Sequence, residues 1–166
     1  MSGKILGILE YALSKEMEGM SFYESKSKTV HNEEVKKTFL ELSKMESDHV
    51  DYINNLINKI NEDEPLRYNG EDIGDAFRDR QKKEIVNQGD FKKLKTDIPV
   101  LRMAYLIEQD FMEFYNKASE SVEGKEIKEI LRHLAQWEKV HRDRIYDLYQ
   151  KLSKDFWEHM ETDPIF

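Results

Sequence analysis

The sequence predicts an all-α protein, an antiparallel four-helix bundle made of two repeated helical hairpins with a long crossover connection. Three observations carry that expectation. Apolar residues recur at three- and four-residue spacing along four long stretches, the period of a helix facing a core. The first and last parts of the chain repeat one another. A segment near the middle, 62–96, breaks the pattern: it holds Pro65, Gly70, Gly74 and Gly89 and many polar residues. That segment is long enough to carry the chain from one end of a bundle to the other. The hairpins are then about 3–61 and about 97–158, within a single domain over 1–166.

The first helix runs from Gly3 to about Thr29, with a core stripe of Ile5, Leu9, Ala12, Glu16, Gly19, Tyr23 and Val30. Its only charged member is Glu16. A short turn at Val30-His31-Asn32-Glu33 follows, and short turns join antiparallel neighbours. The second stripe is Val35, Phe39, Leu42, Glu46, His49, Ile53, Leu56 and Ile60, again apolar except at two steps. Pro65 lies just beyond it, where a helix cannot continue. Within 62–96 one short helix is expected from Ile73 to Val86, and Lys92, Lys93 and Lys95 read as a solvated loop. Thr96 or Asp97 can cap the third helix, with Pro99 in its first turn. Its stripe is Leu101, Ala104, Glu108, Phe111, Tyr115, Ala118 and Val122. Gly124 marks the next turn. The last helix runs from about Lys125 to Phe156 on the stripe Ile127, Leu131, Leu134, Glu138, His141, Ile145, Leu148 and Leu152. Phe156, Trp157, Met160 and Phe166 give the tail apolar surface to dock, on the bundle or on a partner subunit.

Sliding residues 8–58 by 92 positions onto 100–150 aligns the halves without a gap. Sixteen of the 51 positions are identical, several times what composition alone would produce, so the hairpin is duplicated. The matches include Glu16/Glu108, Tyr23/Tyr115, Glu46/Glu138 and His49/His141. Each half therefore carries a glutamate followed 30 residues later by Glu-x-x-His, all on core stripes.

A carboxylate in a core is costly unless it is paired or coordinates a cation. In a four-helix bundle the stripes converge, which brings four glutamates and two histidines to one level. Residues three apart share a helical face, so each Glu-x-x-His can aim two ligands at one point. Two divalent cations would neutralise four carboxylates. Mixed carboxylate and imidazole ligation suits iron or manganese, and zinc is also compatible. The candidate metal ligands are Glu16, Glu46, His49, Glu108, Glu138 and His141. Tyr23 and Tyr115 either pack as structural aromatics or orient the ligand carboxylates. Gly19 either allows close helix packing or leaves access for a small oxidant. His31, His133 and His159 match no ligand position and read as surface residues. Asp48, Asp51 and Asp143 read as solvated, with Asp51 or Asp143 also able to hold a histidine N–H.

The motifs Glu16-Met-Glu-Gly-Met-Ser-Phe-Tyr23 and Glu108-Gln-Asp-Phe-Met-Glu-Phe-Tyr115, with the two Glu-x-x-His pairs, resemble the rubrerythrin branch of the ferritin-like family. The likeness covers about residues 5–60 and 97–152. It implies a ferritin-like fold and a carboxylate-bridged centre of two iron ions, with Glu46 and Glu138 as bridges. Glu16 and Glu108 would be terminal ligands, with one histidine per metal. It also implies reduction of hydrogen peroxide or reaction with dioxygen, and a homodimer. Two departures stand out. Full-length rubrerythrins carry a cysteine-ligated rubredoxin domain, whereas this sequence has no cysteine. Electrons are therefore expected from an external donor protein. Relatives also carry an extra glutamate three residues after the third-helix ligand; here that position is Phe111, and its repeat-related position is Gly19. A peroxidase mechanism that depends on that carboxylate lacks its residue.

Three functions compete: a diiron oxidoreductase, an iron-binding or ferroxidase protein for storage, and an oxygenase with an organic substrate. A net charge of −8 argues against a nucleic-acid partner, which needs a clustered basic face. The absence of cysteine rules out a thiol nucleophile or a zinc-thiolate site. No apolar run approaches the roughly 20 residues that span a bilayer, so no membrane partner is expected. The N-terminus makes a poor signal peptide, and a cytoplasmic location is the expectation.

Overall fold

The structure is a computed structural model that describes residues 2–68, 70 and 91–162. It contains four helices: α1 (Ser2–Ser27), α2 (Glu33–Asn61), α3 (Phe91–Ser121) and α4 (Lys125–Thr162). No strand occurs among the described residues. The all-α, ferritin-like four-helix bundle expected from the sequence is the fold observed.

Each helix packs mainly against its neighbour in the chain, giving the hairpins α1/α2 and α3/α4. The turn between α1 and α2 is fixed from both sides. Asn32 caps α2, its side-chain oxygen accepting from the backbone N–H of Glu34 at 2.9 Å and of Val35 at 3.1 Å. Glu33 and Glu34 then complement the positive end of the helix. At its other end α2 stops with Asp63 in the left-handed region, φ 56°. Gly124, at φ 107°, makes the sharp turn into α4, where a side chain would be strained.

The start of α3 lies beside the α1–α2 turn, where Asp97 accepts from His31 N and Asn32 N. The end of α3 lies beside the start of α1, where Lys4 Nζ donates to the Ser121 carbonyl. The chain leaving α2 meets the α3–α4 end of the bundle: Tyr68 N donates to Glu126 at 2.9 Å, and Leu66 and Tyr68 pack against the core there. The described chain thus leaves α2 at one end of the bundle and starts α3 at the other. The helix expected over Ile73–Val86 lies outside the described residues, as does Phe166.

Several helix boundaries differ from expectation. Neither Thr96 nor Asp97 caps α3, which is already helical at Phe91, so Pro99 lies inside it and Lys92, Lys93 and Lys95 are helical. An interior proline costs about 3 kcal/mol, so tertiary contacts must offset it. Leu94 is buried in the core and Asp97 is buried on the α1–α2 turn, so the turns before Pro99 are held by packing. The last helix continues past Phe156 to Thr162; Phe156 packs on the core while Trp157 is 62% exposed.

Two apolar clusters divide the interior. Leu9, Ala12, Ile53, Leu56, Leu131 and Leu134 belong to one. Phe39, Leu42, Leu101, Ala104, Ile145 and Leu148 belong to the other. The glutamates and histidines of the four stripes fall between them in sequence, along every helix. None of the helices is long and apolar enough to cross a membrane, among the described residues.

Candidate metal centre

Because each stripe carries its polar residues near mid-helix, all six reach one level of the interior. Glu16, Glu46, Glu108 and Glu138 are each 0% exposed, His49 is 3% and His141 is 1%. A buried ionised carboxylate is unfavourable by several kcal/mol unless compensated. The exposure values therefore turn the composition of this layer into a demand for cations or protons.

The arrangement has an approximate two-fold symmetry that follows from the sequence repeat. His49 Nδ1 lies 3.2 Å from Glu16, 3.3 Å from Glu46 and 3.2 Å from Glu138. His141 Nδ1 lies 3.6 Å from Glu108, 3.6 Å from Glu138 and 3.1 Å from Glu46. Glu46 and Glu138 thus face both imidazoles, while Glu16 is close to His49 and Glu108 to His141. One imidazole nitrogen carries at most one proton and cannot hydrogen-bond to three carboxylates together. One oxygen each of Glu46 and Glu108, and both of Glu138, are buried without a hydrogen-bond partner among the described residues. Converging donors of this kind fit a cation. Glu46, His49, Glu138 and His141 each offer one ligand atom, all within 4.8 Å of one another, and can hold a metal ion. Glu16 and Glu108 border that group.

Proton affinities follow from the same crowding. Burial first, then the charges of neighbouring carboxylates, hold Glu16 and Glu108 well above the usual carboxylate range. Burial also acts against the charged form of Glu46. It is outweighed by hydrogen bonds from Glu16 and His141 and by the charge of His49, and Glu46 falls well below that range. Glu138 is lowered too, with burial and Glu46 opposing the pull of the two histidines. Both histidines are raised well above their ordinary value: burial opposes the charge, but the surrounding carboxylates prevail.

A model of the rubrerythrin family matches residues 7–98 and again 99–163, one match for each hairpin. The chain belongs to the rubrerythrin family. Its fold is similar to the solved structure of a hypothetical protein from Pyrococcus furiosus, with a TM-score of 0.67 over 90% of each chain at 23% identity. At that identity the likeness concerns the fold alone. A search of curated proteins finds no match.

Around the rubrerythrin-type layer, Tyr23 Oη donates to Glu108 and Tyr115 Oη donates to Glu16, each reaching across to the other hairpin. Both hydroxyls are buried, and burial together with the neighbouring carboxylates keeps their protons on. Asp51 is exposed, and Asp143 pairs with Lys139 and Arg142. Gly19 and Phe111 face one another: a Cβ on Gly19 would lie 3.3 Å from the Phe111 ring and 3.8 Å from Glu46. Of the two readings of Gly19, access for a small oxidant is therefore corrected in favour of close packing. Gly19 and Phe111 occupy the same side, and the ring fills the space.

Two residues were not anticipated. His133 is half-buried rather than on the surface, with Tyr68 Oη at 3.1 Å from its Nδ1. Trp137 is 4% exposed and stacks on His49, with ring centroids 4.7 Å apart and planes 15° from parallel. Its sequence signal is a secondary stripe, Ile130, Leu134, Trp137, His141, beside the main one. That spacing puts Trp137 near the site but cannot reveal a stack onto a histidine of the other hairpin.

Proposed function

We propose that the protein is a diiron oxidoreductase that reduces hydrogen peroxide or dioxygen with electrons from a separate donor protein. The observation that carries this reading is the sharing of Glu46 and Glu138 between both histidines, with one oxygen of Glu46 and both of Glu138 lacking a hydrogen-bond partner among the described residues. Glu46 and Glu138 would bridge two metals; Glu16 with His49 and Glu108 with His141 would each complete one of them. Four glutamates against two divalent ions leave the layer near neutrality, which favours hard and borderline cations such as iron or manganese over thiophilic ones.

Iron held by these six residues would supply the redox couple for a small oxidant. The protein's own groups do the rest. Tyr23 and Tyr115 fix the orientation of the terminal carboxylates by donating to them, which sets where their free lone pairs point. Phe111 excludes water from the side where relatives carry a further carboxylate. In this reading the active species is a homodimer.

Metal analysis with anaerobic stopped-flow spectroscopy of the reduced protein tests the proposal. Two irons per chain and rapid oxidation by peroxide or dioxygen are the expected results. A protein with two irons that is inert to both oxidants is a metal-handling protein instead. Gel filtration then separates a dimer from the hollow cage that storage requires.

A further inference from the structure

Beside the carboxylate layer, aromatic rings touch in series from the bundle's flank to the site. The Tyr68 and His133 rings are 5.3 Å apart, His133 and Trp137 4.6 Å, and Trp137 and His49 4.7 Å. Tyr52 touches the same indole at 5.5 Å. Tyr68 and Tyr52 are both half-buried and reach solvent, whereas Trp137 is enclosed and its indole N–H has no hydrogen-bond partner among the described residues. An unsatisfied buried donor is unfavourable by about 1–3 kcal/mol, so apolar packing alone would be better served by phenylalanine. The repeat-related position in the other hairpin is Met45, so this series serves one side of the site only.

We propose that Tyr68, His133 and Trp137 form a one-electron path into the metal centre, used when the oxidised centre meets no external reductant. The proposal rests on the oxidoreductase reading above. Indole and phenol are electron-rich side chains that lose electrons and do not accept them, so the direction is inward. The terminal oxidant is dioxygen, or peroxide beyond the first equivalent: two ferrous ions supply two electrons, dioxygen or a second peroxide demands two more, and the path supplies one of these. The centre gains one electron from Trp137, and Trp137 is restored by one electron from Tyr68. Tyr68 gives its phenolic proton to His133 Nδ1, 3.1 Å away, in the tautomer that carries hydrogen on Nε2. The net change is one electron gained at the centre, one neutral phenoxyl radical at Tyr68 and one imidazolium at His133. Among the described residues, Tyr52 touches the indole without an imidazole bonded to its hydroxyl, which is why Tyr68 is the electron source.

Two measurements decide it. In zinc-loaded Trp157→Phe protein Trp137 is the sole tryptophan, and zinc cannot take up the electron. A laser pulse that ionises the indole should give an indole radical that passes to a phenoxyl radical. The phenoxyl signal should be lost in Tyr68→Phe and kept in Tyr52→Phe; its persistence in Tyr68→Phe overturns the path. The second uses reduced iron-loaded protein mixed with dioxygen, and separately with several equivalents of peroxide, in the absence of reductant, then frozen for electron paramagnetic resonance. A tyrosyl signal is expected in wild type and should be lost in Tyr68→Phe and Trp137→Phe, both with wild-type iron content. Oxidised iron with no organic radical in wild type overturns the path and leaves the oxidoreductase reading standing. Iron that stays reduced overturns that reading, and the path falls with it.

Discussion

Gly19 and Phe111 occupy equivalent positions in the two hairpins, yet one has no side chain and the other a full ring. Residues close to a two-fold axis meet their own counterparts, and here the 3.3 Å approach leaves room for only one side chain. Glycine in a helix interior is unfavourable by about 1 kcal/mol relative to alanine, a cost that this packing explains. Gly19→Leu should therefore displace the ring and destabilise the protein by about 1–3 kcal/mol, the usual range for overpacking. In a Phe111→Ala background the same change should be much milder. Denaturant unfolding of the four variants measures this; additive effects would disprove direct contact between the positions. The six polar residues were legible in the sequence because each is an error in an otherwise apolar stripe. Trp137 was not, because an aromatic beside a core stripe looks like any packed residue until its cross-hairpin neighbour is known.

Among the helices, α2 and α4 were the most legible, since their stripes alternate strictly and their turns carry clear signals. The start of α3 was misread because Thr96, Asp97 and Pro99 together look like a helix beginning. Their local chemistry is overridden by a contact distant in sequence. The Asp97 carboxylate accepts from His31 N at 2.9 Å and from Asn32 N at 2.7 Å, so it completes the α1–α2 turn instead of capping its own helix. It thereby ties the first hairpin to the second. Asp97→Ala should remove the charged acceptor of two part-buried hydrogen bonds and destabilise the fold by about 1–3 kcal/mol. Asp97→Asn keeps an acceptor oxygen and should retain part of that stability. Equal unfolding midpoints for wild type and Asp97→Ala would show that the tie contributes nothing.

For the molecule as a whole, stability is linked to what fills the carboxylate layer. In the metal-free protein Glu16 and Glu108 have raised proton affinities, as do His49 and His141. A group raised on folding stabilises fully below its unfolded value, about 4.3 for glutamate and 6.5 for histidine, and that contribution is lost as pH rises through the folded value. Glu46 and Glu138 are lowered, so theirs is lost as pH falls through their folded values. Above neutrality the first set governs, and the metal-free Tm should decline with rising pH. Metal binding needs deprotonated ligands and stabilises the folded state by mass action, so the loaded-minus-free gap in Tm should widen over the same range. A gap that narrows in soluble, metal-retaining samples would contradict this. The duplication made the convergence of the two halves legible. The course between Tyr68 and Phe91 was legible only as a length and a composition, since it repeats nothing.

The central claim is that one buried layer, built from two copies of Glu…Glu-x-x-His, binds a pair of metal ions. Anomalous diffraction from crystals of iron-loaded protein tests it most directly. The account predicts two metal peaks per chain, Glu46 and Glu138 bound to both, Glu16 and His49 on one, and Glu108 and His141 on the other. A single peak, or two peaks with fewer than four of these side chains in direct contact, would contradict it.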